Sequence, residues 1–468
     1  MVFSSLLFLF TYLPVVLLIY YLSPLKWRNG VLLIFNLIFY GWGEPTYIIL
    51  MVFTITADYV AGLLVARFKD RGRDRAARTA VAAALVLNLA ILFFFKYWDL
   101  IADTLRGFGL DVLPALGLSL PIGISFYTFQ TMTYPVDLYR GDAGVQKNLV
   151  NFGTFVTLFP QLIAGPILKY KELADQVDRR TYRVEQFAGG VHIFVIGLGK
   201  KVLLANNLGQ LWDAYKALPT EELTVLGAWL GVAAFSLQLY FDFSGYSDMA
   251  IGLGRMLGFE FLKNFDYPYI SRSVTEFWRR WHISLGSWFR EYVYIPMGGN
   301  RVSGGRLCFN LLVVWGLTGL WHGASWTFVL WGAWHGLFAT LETATPLRRL
   351  QNRKIGRIYA LLVVLVGFVL FRAGTLSQAA EMAGNLFAGF ALTPASTLAL
   401  RHLLTRRALA SLLVGAVGAL GGGAWLWERV KNRRGAEAVS LALTLALLAL
   451  CVLSLAAGTF QPFIYQQF

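Results

Sequence analysis

Apolar runs of bilayer-spanning length recur along this chain from one end to the other, and that recurrence constrains its fold more than any other feature. Crossing roughly 30 Å of hydrocarbon takes about 20 residues of helix, and only helices or closed barrels satisfy the backbone there. The candidate runs are residues 1–22, 30–42, 46–66, 80–98, 148–168, 186–206, 224–246, 305–321, 323–343, 357–373, 408–427 and 438–458. They predict an all-α polytopic membrane protein with ten to twelve transmembrane helices. Composition supports a bilayer as solvent: 57% of the 468 residues are hydrophobic and 14% charged, against roughly 25% charged in soluble domains. The first run has no basic n-region and no small-residue cleavage site, so it reads as a retained span, not a signal peptide.

A net charge of +15 would raise nucleic acid as a partner in a soluble protein. Here the basic residues gather in short loops, which marks the cytoplasmic face and contact with anionic lipid and argues against nucleic acid. RFKDRGRDRAAR (67–78), RRLQNRKIGR (348–357) and ERVKNRR (428–434) are cytoplasmic on this rule, with both chain ends outside. RHLLTRR (401–407) is the exception, basic on the face this topology places outside. Cys308 and Cys451 lie at or within apolar runs, and neither a disulfide framework nor a zinc cluster follows from their count or spacing.

The middle of the chain is irregular. Residues 107–135 are apolar but carry Pro114, Pro121 and Pro135, and residues 157–170 are interrupted by Pro160, Gly165 and Pro166. Such backbone is tolerated at membrane depth only when buried in protein or lining a cavity, so re-entrant or interfacial segments are expected, with a Pro-kinked span as the alternative. Residues 263–300 mix Arg with Trp, Phe and Tyr and read as amphipathic helices at an interface.

Five histidines occur: His192, His282, His322, His335 and His402. His322, in LTGLWHGASWTFVLWGAWHG, sits in an apolar run beside small residues. An ionisable group there is costly unless it faces the protein interior, so a functional role is the default and a helix-to-helix hydrogen bond the alternative. An imidazole suits proton transfer from a hydroxyl near neutral pH. His335 lies 13 residues on, roughly 20 Å away along a straight helix, unless the glycines break it. Asp242 and Asp248, flanking SGYS, could orient a histidine or a substrate hydroxyl, or pack as interhelical polar groups. His282 lies in the basic aromatic segment EFWRRWHISLGSWFR, whose Arg279, Arg280 and Arg290 could hold phosphates of a donor or of lipid headgroups. Gly252 and Gly254 follow no strand and make no phosphate loop. Neither a metalloprotease His–Glu spacing nor a Gly-x-Ser-x-Gly elbow occurs.

FDFSGYSDMAIGLGRMLGFEF, then NFDYPYISRSVTEFWRRWHISLGSWFREYVYIPMGG, then LTGLWHGASWTFVLWGAWHG resemble, in this order, the membrane-bound O-acyltransferase family. MVFSS, FPQLIAGPI and the terminal FIY extend the resemblance over nearly the whole chain, toward the bacterial polysaccharide O-acetyltransferases of the alginate type. Two mild departures are FIYQQF at the end, where relatives often have FIYFQF, and Lys169-Tyr170, where Arg-Tyr is common.

The resemblance implies one membrane-embedded domain over 1–468, with N-terminal spans to 106, a catalytic core over 107–345 and C-terminal spans over 346–468. It implies a ring of tilted helices around a central funnel in a bacterial inner membrane. His322 would be catalytic, with Asp248, Asp242 and His335 near it; Arg279, Arg280 and His282 would lie on the cytoplasmic side toward the donor. The donor would be acetyl-CoA or an acylated carrier protein, with no permanently bound cofactor or metal. The acceptor would be periplasmic alginate, reached directly or through an esterase-like partner subunit; cellulose, peptidoglycan or teichoic acid are the other acceptors. A transporter remains the other class, although no inverted repeat is evident.

Overall fold

In the computed structural model, residues 1–219, 222–390, 392–458 and 461–464 are described, and among them every regular element is a helix. Residues 465–468 of the terminal FIYQQF motif lie outside the described residues. The chain forms two compact units, Met1–Phe194 with Ser247–Leu262, and Val195–Tyr246 with Lys263–Phe468.

The first unit contains α1 (Leu13–Leu22), α2 (Arg28–Gly43), α3 (Ile48–Asp70), α4 (Asp74–Lys96), α5 (Trp98–Gly107), α6 (Ile124–Arg140), α7 (Leu149–Thr157), the single turn α8 (Phe159–Leu162), α9 (Tyr170–Asp178) and most of α10 (Val184–Gly199). Its interior is aromatic: the Phe39 and Tyr12 rings each lie 5.5–5.6 Å from their neighbours Phe159 and each other. The interrupted FPQLIAGP segment sits there, buried along its whole length, the setting in which a membrane protein tolerates irregular backbone. Where the chain leaves α7, the Phe159 amide donates to Asn36 Oδ1 at 3.0 Å, and the Gln161 and Gln130 amides both donate to the Phe155 carbonyl. Of the other proline-bearing stretch, residues 108–120 are non-helical and mostly exposed, while Pro135 lies inside the buried helix α6.

The second unit contains α11 (Asn206–Lys216) and the first two thirds of α12 (Val225–Met256), then α13 (Val274–Arg280), α14 (Ile283–Phe289), α15 (Gly304–His322), α16 (Trp326–Ala344), α17 (Ile355–Arg372), α18 (Leu376–Asn385), α19 (Pro394–Leu403), α20 (Arg406–Ala419), α21 (Gly422–Val430) and α22 (Ala436–Ala456). The aromatic stretch 263–300 becomes the two seven-residue helices α13 and α14 and a π-turn, with Phe277, Trp281, Trp288 and Phe289 buried.

Among the described residues, six helices combine the length and apolar composition of a crossing: α3, α4, the continuous run Val184–Lys216, α12, α17 and α22. The pair α20 and α21, bent by 65°, makes a seventh if it counts as one span. The larger number of runs in the sequence has a local explanation. The first run yields only Phe8–Leu22, the second the 16-residue α2, and residues 148–168 break at Leu158. The protein is a multi-pass inner-membrane protein all the same. Cys451 is buried and Cys308 half-buried, both as thiols.

Candidate active site

The site is assembled on a helical hairpin. Helix α15 ends at His322 because Gly323 is fully extended, at φ −170° and ψ 155°, and α16 starts three residues later at Trp326, behind Ser325. The two helices pack backbone against backbone. A Cβ on Gly319 would strike the Phe328 carbonyl oxygen, and one on Gly332 would strike that of Trp315. Small residues at a crossing let membrane helices approach in this way.

The break turns a separation along one helix into a juxtaposition across two. His322, 5% exposed, stands edge-on to Trp331 at 4.9 Å and to Phe371 of α17 at 5.4 Å. Trp331 is in turn 5.1 Å from His335, so one indole separates the two imidazoles. His335 is fully buried between Trp278, Trp315 and Trp331, and its Nδ1 accepts from Trp278 Nε1 at 3.3 Å. Nε2 therefore carries the proton, and it lies where a Cβ on Gly367 would come within 2.5 Å.

Trp278 is delivered by α13, and α13 is docked by one carboxylate. Glu342 of α16, 4% exposed, accepts from the Val274 amide at 2.6 Å and from the Thr275 amide and hydroxyl at 2.9 and 2.6 Å. Those amides are the orphan donors of the helix N-terminus, where a negative charge is also favoured by the dipole. Glu342 and His335 are seven residues apart on α16 and so share a face.

His282 joins the same ring cluster, 6.0 Å from Trp321, the neighbour of His322, and 4.7 Å from Phe243. It occupies the sharp turn between α13 and α14 at φ 46°, a conformation that costs a non-glycine residue about 1 kcal/mol or more. Asn264 holds that turn, its Oδ1 accepting from the Ser284 amide and hydroxyl at 3.1 and 2.9 Å and facing His282 Nδ1 at 3.2 Å. An oxygen opposite Nδ1 makes it the protonated nitrogen. Burial pushes the His282 imidazole down to about 3, so it stays neutral.

Three of the five histidines thus meet around two indoles, an enclosed setting in which a base can take a proton away from bulk water. The family's sequence profile, MBOAT, membrane-bound O-acyltransferase family, matches residues 142–373, which contain this whole cluster. A protein of Pseudomonas putida described as "Probable alginate O-acetylase AlgI" is 41% identical over the full length of both chains. Its namesake in Pseudomonas aeruginosa is 46% identical, covering 83% of this chain and 75% of the relative. The "Peptidoglycan O-acetyltransferase" of Helicobacter pylori is 32% identical over 82% and 79%. The chain belongs to the membrane-bound O-acyltransferase family.

As an O-acyltransferase it places the other candidate residues unevenly. Asp242, 1% exposed, pairs with Lys201 Nζ at 2.6 Å and accepts from the Ile464 amide at 2.8 Å. These partners, not a histidine, are the ones it has among the described residues. Asp248 is half-buried six residues further along α12, in the share of that helix belonging to the first unit. Six residues are about 9 Å of rise and well off the same face, so the two carboxylates do not form a pair. Arg280 is held by Glu276 and Asp266, each at 3.0 Å. Arg279 is exposed and makes no hydrogen bond or ion pair among the described residues, which leaves it as the open cation of the three donor-side candidates.

Sequence reasoning missed Trp331, Trp278, Asn264, Lys201 and Glu342. The last two carried a signal, a charge inside an otherwise apolar run.

Proposed function

We propose that this O-acyltransferase moves an acetyl group from a cytoplasmic thioester, acetyl-CoA or an acylated carrier protein, to a polysaccharide on the periplasmic face, with alginate as acceptor. The observation that carries the reading is His322, enclosed by Trp321, Trp331 and Phe371 at a helix end. Its imidazole takes the proton of an acceptor hydroxyl as that oxygen attacks the thioester carbonyl, and the thiol leaves with a proton. Arg279 offers a charge for donor phosphates. Full-length similarity to a relative named for alginate O-acetylation supports the acceptor. In this reading the helices surround a funnel through which the acyl group, not its carrier, crosses, and an esterase-like periplasmic subunit completes or receives the transfer; anionic lipids line the basic loops.

The experiment replaces His322 with Ala and measures acetylated polymer at matched membrane abundance. Loss of a general base lowers turnover roughly 10²–10⁴-fold. Unchanged acetylation removes His322 from the mechanism.

A further inference from the structure

At the end of α17, within the second unit, a cavity of about 190 Å³ is lined by Trp212, Asp213, Phe235, Gln238, Arg372 and Gln461 among others. Arg372 closes α17, Trp212 and Asp213 come from the second half of α11, and Phe235 and Gln238 from the third and fourth turns of α12. The Arg372 guanidinium lies 5.9 Å from the centroids of both the Trp212 and the Phe235 ring. Among the described residues it makes no hydrogen bond and no ion pair within 4 Å; the exposed Asp213 acts on it only through space.

Two further polar atoms in this lining are buried without a partner among the described residues. They are Nε1 of Trp212, a residue 2% exposed, and Oε1 of Gln238. Leaving such groups unmet in a folded protein costs about 1–3 kcal/mol each, so a bound molecule that meets them recovers that cost. The cavity thus offers a guanidinium and an indole N–H as donors, an amide oxygen and a carboxylate as acceptors, and two aromatic faces. Donors and acceptors beside apolar faces match the hydroxyls and C–H face of a sugar ring, and an open guanidinium matches a carboxylate in bidentate fashion.

A second observation lies in RHLLTRR. Arg401, Arg406 and Arg407 are exposed and make no hydrogen bond or ion pair among the described residues. Leu400, just before them, lies 3.6 Å from the position a Gly227 Cβ would take, beside Thr224 and Tyr215. That is the end of the unit where α11 finishes and α12 begins; Phe235 of the cavity lies eight residues, about 12 Å, further along α12. Helix α17 leaves the basic loop 348–357, so Arg372 and this patch fall on the face opposite the cytoplasm, where Lys and Arg are normally sparse. Phe371, the neighbour of Arg372, packs on His322.

We infer that the cavity and the RHLLTRR patch form one binding site for a carboxylate-bearing polysaccharide. Arg401, Arg406 and Arg407 draw in the anionic strand, and Arg372 receives the carboxylate of a residue seated on Trp212 and Phe235. This places the strand next to the ring shell of His322, and it rests on the acyl-transfer reading for its place in the reaction.

The test uses the full chain in nanodiscs of neutral phosphatidylcholine, titrated with a labelled oligouronate and an uncharged oligoglucan of equal length. The oligouronate is expected to bind preferentially, with affinity that falls as salt rises. Arg372→Gln is expected to weaken the oligouronate roughly tenfold, the worth of one charge-assisted contact, without moving the oligoglucan. Replacing Arg401, Arg406 and Arg407 with Gln should flatten the salt dependence. Trp212→Phe, which keeps the ring and removes the N–H, gives a second variant should Arg372→Gln fail to fold; it should weaken the oligouronate several-fold.

Equal binding of the two sugars, binding of neither, or unchanged affinity in both cavity variants overturns the proposal. So does a patch variant that binds the oligouronate as wild type does in neutral nanodiscs and differs from it only in nanodiscs containing phosphatidylglycerol, which would make the patch a lipid site. Wild-type thioester turnover separates the two readings: selective binding without turnover defeats acetyl transfer and leaves this site, whereas turnover without selective binding defeats this site alone.

Discussion

Lys201 and Asp242 are the partners whose separation should cost most. Their side chains are 5% and 1% exposed and their charged atoms 2.6 Å apart, so neither charge has water to fall back on. The same two residues hold the terminal segment: Lys201 Nζ donates to the Pro462 carbonyl at 3.2 Å and Asp242 Oδ2 accepts from the Ile464 amide. Phe463, between those contacts, is buried and stacks on Tyr246 at 4.8 Å. Removing one partner leaves an uncompensated buried charge, at about 3–5 kcal/mol. Lys201→Met and Asp242→Leu should therefore each destabilise by about that much. The double variant removes both charges and leaves one buried amide at Ile464 unmet, so it should lose only about 1–3 kcal/mol. Single costs summing to roughly 6–10 kcal/mol against that value give a coupling energy of at least about 3 kcal/mol. Equilibrium unfolding in mixed micelles, followed by Trp fluorescence, measures the cycle. Carboxypeptidase digestion reads the tail independently, and Asp242→Leu should be trimmed faster than wild type. Additive single costs, or single costs under about 1 kcal/mol, would refute the reasoning.

Glu342→Gln keeps one acceptor but removes the charge that two amides and a hydroxyl share, so it should cost about 1.5–3 kcal/mol in the same unfolding assay. Gly367→Ala drives a methyl against His335 Nε2 and should cost about 1–3 kcal/mol by overpacking; combining it with His335→Ala should cost less than the sum of the two.

Much of this was legible in the sequence, for reasons of period and chemistry. Long apolar runs have one answer in a bilayer, and α3, α4, α12, α17 and α22 fall where those runs lie. His322 stood out because an ionisable group in such a run demands an explanation. What was not legible depends on partners distant in sequence. Asp242 looked like a residue to orient a histidine, yet Lys201, 41 residues away, and the terminal backbone take both its oxygens. Arg280 looked open to a phosphate, yet Asp266 and Glu276 had already enclosed it. The first run reads as one span, and the helix there, Phe8–Leu22, is continuous through a π-turn but shorter than the run. For His322 and His335, spacing along a helix suggested distance, and only the fold at Gly323 put one indole between them.

The contact of Gly319 and Gly332 sets that spacing by main chain alone. The two helices keep their separation without relying on side-chain packing at that point, so the hairpin works as a rigid gauge for the rings it carries. When the surrounding bilayer thickens or thins, such a piece tilts as a whole and carries both rings and Trp331 with it. A change of lipid length would then alter how substrates reach the pocket and leave the pocket's own dimensions as they are.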